Sequence, residues 1–170
     1  MANKSDTRKL KAVIKALRKM QGGKISWGFD DTPHPNGRGA DTMGDVARLV
    51  EMGHVNGGLF PNTYTPARPF FQSAVDDSEN HRRIRAIIKR KQRDVLQAAA
   101  RNKPIALQAK MDAIGEELVR QVRESLDNYN YQVADTTIAM REWRGFTSKD
   151  PLKESGSLYD GVTFSLERFQ

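Results

Sequence analysis

The side chains that could do chemistry are few and scattered. His34 lies between two prolines, His54 follows a glycine and His81 opens a basic segment. No two of them stand three or four residues apart, so no pair offers a metal ion one helix face. A loop histidine most often faces solvent. Asp30-Asp31 and Asp76-Asp77 are paired carboxylates, the material of general acid–base catalysis, but adjacent side chains diverge on a helix or a strand. Asp76 and Asp77 fit better as first-turn acids favoured by a helix dipole. Gly37-Arg38-Gly39 and Gly57-Gly58 are too short for a phosphate loop and lack its Lys-Ser/Thr ending. No serine has a Gly-x-Ser-x-Gly setting, and Ser155-Gly156-Ser157 reads as a turn. The absence of cysteine excludes a thiolate zinc site, a cysteine nucleophile and a disulfide framework. The expectation is a protein that is not an enzyme and holds neither metal nor cofactor.

Charge is more informative. The chain carries 28 basic and 21 acidic residues, a net of +7. Residues 1–20 hold Lys4, Arg8, Lys9, Lys11, Lys15, Arg18 and Lys19 against Asp6 alone. Residues 82–93 hold Arg82, Arg83, Arg85, Lys89, Arg90, Lys91 and Arg93 with no acid. The remainder is therefore acidic. Both basic stretches have helical apolar spacing: Leu10, Val13, Ile14 and Leu17 in the first, Ile84, Ile87 and Ile88 in the second. Arg82, Arg85, Lys89, Arg90 and Arg93 fall opposite the isoleucine stripe, whereas Lys91 projects beside it and can lay its stem on apolar surface. These five cations are candidates for contact with a nucleic-acid backbone or with an acidic partner. Neither stretch contains the aromatic residues that stack on bases.

The elements that would position these residues follow from period and punctuation. A helix from about Ser5 to Met20 stops at Gln21-Gly22-Gly23. Residues 24–29 alternate Ile25, Trp27 and Phe29 against Lys24, Ser26 and Gly28, the pattern of a strand with one buried face. A long loop at 30–41 follows. Thr42 and Asp45 have the spacing of a capping box for a helix ending at Gly53. A second long loop occupies 54–69, and loops of this length tend to bind partners. One helix is expected from Phe70 to about Ala100 and another with Pro104 in its first turn, carrying Leu107, Met111, Ile114, Leu118 and Val122 on one face. Asn128-Tyr129-Asn130-Tyr131 ends it. A weak strand is expected around Thr136 to Met140, a helical turn near Asp160, and a last strand over 162–168.

With 170 residues and 38% hydrophobic content, a single domain with a modest core is expected, an N-terminal helix over 1–22 and an α+β core over 23–170. The fold class is α+β: a small antiparallel sheet, holding the strands at 24–29 and 162–168, packed against two long helices. No apolar run is long enough to span a membrane, and the lysine-rich start is unlike a secretory signal.

Three segments together resemble the tail-completion and head–tail joining (neck) proteins of tailed bacteriophages. They are Val46-Ala47-Arg48-Leu49-Val50-Glu51-Met52-Gly53, then Thr65-Pro66-Ala67-Arg68-Pro69-Phe70-Phe71, and finally Asp150-Pro151-Leu152-Lys153-Glu154-Ser155-Gly156-Ser157-Leu158-Tyr159-Asp160-Gly161-Val162. Their order and rough spacing are similar to that family's across most of the chain, from about Lys24 to Leu166. The resemblance implies a structural virion protein, made and assembled in the host cytoplasm and working at the junction of capsid and tail. It implies a homo-oligomeric ring, sixfold by expectation and twelvefold next, that meets portal-side connector proteins and tail tube or terminator proteins and leaves a channel for DNA. Pro66, Arg68, Pro69, Phe70, Phe71, Leu152 and Leu158 are the assembly residues it nominates. Physically, Pro66 and Pro69 hold Ala67-Arg68 extended, so Arg68 is a fork-shaped donor on a rigid mount. The rival expectation is a basic DNA-binding accessory protein that uses the helices at 4–19 and 82–93.

Overall fold

The computed structural model describes residues 4–21, 23–33, 42–55, 64–101, 103–129, 133, 135–145 and 156–168. The elements run α1 (Lys4–Gln21), β1 (Gly23–Phe29), α2 (Met43–Met52), β2 (His54–Val55), β3 (Tyr64–Thr65), α3 (Phe70–Asp76), α4 (Ser78–Ala100), α5 (Leu107–Asp127), α6 (Asp135–Trp143), α7 (Ser157–Asp160) and β4 (Val162–Arg168). The class is α+β, as expected. The first and last strands do pair, β1 with β4, and a second small sheet joins β2 to β3. Lys24 at the start of β1 lies 3.2 Å from Glu167 near the end of β4, which fits antiparallel neighbours. Among the described residues, no helix is long and apolar enough to cross a membrane.

The chain divides into two compact units. The first takes Met1–Ser26, Ser78–Leu118 and Phe164–Gln170. Its centre is made of small residues: Ala16 of α1 meets Val95 and Ala99 of α4, with Val13, Ile105 and Leu107 around them. Alanines on both helices let the two backbones approach, and this costs α1 part of its expected stripe. Leu10 is 59% exposed and Ile14 is 41% exposed, because α4 covers the Val13–Ala16 side of α1 instead. In the same unit α5 carries Gly115, against which the ring of Phe164 packs so closely that a Cβ there would lie 2.2 Å from it.

The second unit takes Trp27–Asp77 and Val119–Thr163. Phe70, Val122, Leu126 and Val162 are its most buried large side chains. Phe29 meets the edge of Phe70 at 5.8 Å between centroids, a favourable aromatic geometry. Arg123 of α5 ties down the last segment, its Nε donating to the Tyr159 carbonyl at 3.1 Å and its Nη2 to that of Val162 at 3.3 Å. Its guanidinium also lies over the Tyr159 ring, 5.1 Å from the centroid.

Several expectations need correction. The helix expected from Phe70 to Ala100 is two helices, broken at Asp77, whose ψ of 119° is extended. Aspartate and serine compete with the helix backbone for hydrogen bonds, and Asp76-Asp77-Ser78 concentrates that tendency. Asp76 therefore ends α3 rather than opening a helix, and Glu79 is the first-turn acid of α4. The strand expected over Thr136–Met140 is helix α6, whose later residues Ala139, Arg141 and Glu142 are ordinary helix formers that outweigh Thr136 and Thr137. Pro104 lies before α5 rather than in its first turn, since the helix starts at Leu107. Along β1, Ile25 and Phe29 are half-buried but so are Ser26 and Gly28, and Trp27 is 37% exposed, so the expected one-sided burial does not hold. On α5 the buried line is Gly115, Val119, Val122 and Leu126, rotated from the expected one, where only Val122 is buried.

Both long loops are closed at their bases. Pro33 bridges Thr42 antiparallel across the first, and the Met43 amide donates to the Thr32 carbonyl at 2.9 Å. His54 pairs with Thr65 and Val55 with Tyr64 across the second. Residues 34–41 and 56–63, between these bases, lie outside the described residues.

Candidate functional site

The segments singled out in the sequence come together within the second unit. Thr42 begins α2 with a complete capping box: the Asp45 amide donates to Thr42 Oγ1 at 3.2 Å and the Thr42 amide to Asp45 Oδ2 at 3.1 Å. That box aims α2 so that its last turn meets the proline-arginine segment. The Arg68 amide donates to the Val50 carbonyl at 2.9 Å. Glu51 then reaches across to α3. Its Oε2 accepts from the Phe71 amide at 3.0 Å and its Oε1 from the Gln72 amide at 2.9 Å.

This contact meets a need that the sequence of α3 creates. The residue before the helix is Pro69, whose side chain makes no capping hydrogen bond. Phe71 and Gln72 are the second and third residues of the helix, whose amides a capping side chain normally satisfies. Glu51 serves as that cap from another helix, with the added attraction between a carboxylate and the positive end of the helix dipole. The Phe70 amide is satisfied by the Arg68 carbonyl at 2.8 Å, and the Phe70 carbonyl accepts from Ser125 Oγ at 2.6 Å.

Gly53 completes the junction. Its φ of 72° lies in the left-handed region, and a Cβ on it would stand 2.6 Å from the Tyr64 hydroxyl and 2.7 Å from both the Ala67 amide nitrogen and the Thr65 carbonyl oxygen. Only glycine suits both the conformation and the space. The last segment joins from another side. Leu158 of α7 is buried, and Gly161 comes within 3.4 Å of Met43 Cβ when a Cβ is placed on it.

The nominated residues thus divide by exposure. Phe70 is fully buried and Leu158 nearly so, and both act by holding the fold. Phe71, Pro66 and Arg68 are half-buried, and Pro69 is exposed. Leu152 lies outside the described residues, as does His34. Sequence reasoning did not single out Glu51, Ser125 or Arg123. Glu51 was visible only as the acid of its motif, and nothing in the spacing of residues 51 and 71 announces a cap supplied from twenty residues away.

Elsewhere, Arg82, Arg85, Lys89, Arg90 and Arg93 are all exposed on α4. Glu79 engages Arg82 at 2.6 Å and Arg83 at 3.4 Å, and its carboxyl is held below the usual carboxylate range, first by the hydrogen bond from Arg82. Arg85, Lys89, Arg90 and Arg93 make no ion pair among the described residues. Ser78, His81, Arg82, Arg85, Ala86 and Lys89 line an open groove of about 430 Å³. Among the described residues, no group of three or more histidine, aspartate or glutamate side chains could hold a metal ion. His54, with its Nδ1 3.3 Å from the Leu49 carbonyl, is held locally.

Set against protein-family models, curated proteins and solved structures, the chain matches none. Its functional reading therefore rests on the resemblance of its segments and on the geometry described above.

Proposed function

We propose that this chain is a structural virion protein of the head–tail junction of a tailed bacteriophage, a neck, tail-completion or tail-terminator subunit. In this reading it forms a homo-oligomeric ring that joins the capsid connector to the tail and leaves a channel for DNA. It is non-enzymatic, and it is made and assembled in the bacterial cytoplasm. The observation that carries the reading is the convergence of the first two resembling segments: Glu51 and Val50 of the first accept hydrogen bonds from the Phe71 and Arg68 amides of the second. Motifs that share one hydrogen-bonded junction behave as a single device, which is more specific than separate short matches.

The test is particle assembly with Arg68→Ala. The variant subunit is expected to remain folded by circular dichroism while capsids and tails accumulate unjoined. Normal yields of infectious particles from that variant would sink the assignment.

The exposed cations of α4 and their groove favour one second reading, a basic DNA-binding accessory protein. That role requires duplex affinity that falls steeply with salt. The pair Arg85→Glu and Arg90→Glu would then abolish DNA binding by the isolated protein and leave assembly intact.

A further inference from the structure

The two units carry opposite charge. The first holds 19 basic and 7 acidic residues, a net of +12, and the second holds 9 basic and 14 acidic residues, a net of −5. Within the first unit several of the few acids are already engaged: Glu79 with Arg82 and Arg83, Asp94 with Lys110, Glu167 with Lys24. The exposed Arg8, Lys9, Lys11, Lys15 and Arg18 of α1 make no ion pair among the described residues. Such a surplus repels itself and attracts an acidic surface.

The same helix shows what kind of surface that is. Leu10 and Ile14 are separated by one helical turn, and both stay exposed in the middle of these cations. A phosphate backbone gives an isobutyl or sec-butyl side chain nothing to pack against; a protein does. The second unit offers the match. Val55 and Tyr64 are paired across β2 and β3, so their side chains share one face. Val55 is 66% exposed, Tyr64 61%, and Met52, just before the ribbon, 64%. Asp30 and Asp31 of that unit are exposed acids.

We infer that copies of this chain associate head to tail, the Leu10–Ile14 seam of α1 on one copy seated on the Met52–Val55–Tyr64 ribbon of the next, with the +12 unit drawn to the −5 unit. The inference rests on the ring-forming reading above and names the contact that builds the ring. A heterologous contact of this kind leaves each copy with one used and one open face until the ring closes.

The test uses the full chain and two surface variants. One is Leu10→Ser with Ile14→Ser; the other is Met52→Ser with Val55→Ser. All four residues are exposed, so both variants keep their fold, checked by circular dichroism. Mass is measured by sedimentation over a concentration series at low and high salt. The unaltered chain is expected to assemble at low salt and to loosen as salt rises. Each variant alone is expected to associate at least about tenfold more weakly. An equimolar mixture of the two is expected to stop at a heterodimer, since only one good contact can form.

Assembly that persists in both variants overturns this contact while leaving the ring-forming role standing. An unaltered chain that stays monomeric to millimolar concentration at low salt also overturns it. Salt-sensitive binding of duplex DNA, retained in both variants of that monomer, would then identify nucleic acid as the occupant of the basic face. The particle-joining assay on Arg68→Ala reads the broader role independently.

Discussion

Glu51 caps a helix to which it does not belong: its two carboxylate oxygens accept the Phe71 and Gln72 amides at 3.0 and 2.9 Å. The cap joins the end of α2 to the start of α3 where Pro69 supplies none. Loss of a helix cap costs about 0.5–2 kcal/mol. Glu51→Ala is expected to fall in the upper half of that range, because the carboxylate is half-buried and charged. Glu51→Gln, which keeps one acceptor, is expected to recover part of the loss. Urea denaturation of the three proteins checks the order, and equal midpoints for all three would remove the cap from any account of this junction.

Adjacent phenylalanines should differ sharply. Phe70 is fully buried, against Phe29, with its carbonyl held by Ser125. Phe71 is half-buried and 6.3 Å from Phe29 in a tilted arrangement. Phe70→Ala is expected to cost about 3–5 kcal/mol, within the range for a buried aromatic. Phe71→Ala should cost clearly less, leaving a subunit stable enough for assembly assays. Thermal melts of the two variants settle the comparison.

Gly53→Ala meets two obstacles at once. The positive φ strains any β-carbon, and the space is taken by Tyr64, Thr65 and Ala67. A loss of about 1–3 kcal/mol is expected from overpacking and strain together. Removing the hydroxyl with Tyr64→Phe should restore only a fraction, because two of the three close atoms belong to the backbone. Full rescue by Tyr64→Phe would show that the backbone is free to move.

The pH response of α4 follows from Glu79. Its carboxyl is held below the usual range, first by the Arg82 hydrogen bond. A folded pKa below the unfolded one stabilises the helix start above the ordinary carboxylate range, and that contribution fades as pH falls through the folded value. A carbon-detected NMR titration should place Glu79 below the ordinary glutamate range. In Arg82→Ala the Glu79 titration should move upward. An unchanged Glu79 in that variant would transfer the effect to Arg83.

What could be read in the sequence was local. The capping box at Thr42 and Asp45, the stop at Gly53 and the alternation of residues 162–168 all depend on neighbours within a few positions. The first and last strands share a sheet, as expected, although one buried face per strand does not by itself name the partner. Less legible were features decided by distant partners. The alanines of α4 turn α1 towards Ala16 and away from Leu10, and no periodicity in α1 alone registers that choice. The break at Asp77 was hidden because residues 76–83 hold no apolar residue, glycine or proline, so neither period nor punctuation marks where one helix stops and the next begins. The site was legible as three motifs, whereas their junction was not, since a carboxylate that caps a remote helix looks like any surface acid.

The closed bases of the two long loops have a consequence for how such a protein can change. Because Pro33–Thr42 and His54–Thr65 fix where each loop leaves and re-enters the fold, residues between them can be exchanged or lengthened without moving α2 or Glu51. Each doubling in the length of a connection adds only about 0.6 kcal/mol of closure entropy. The frame can therefore stay constant while residues 34–41 and 56–63 change in number and type.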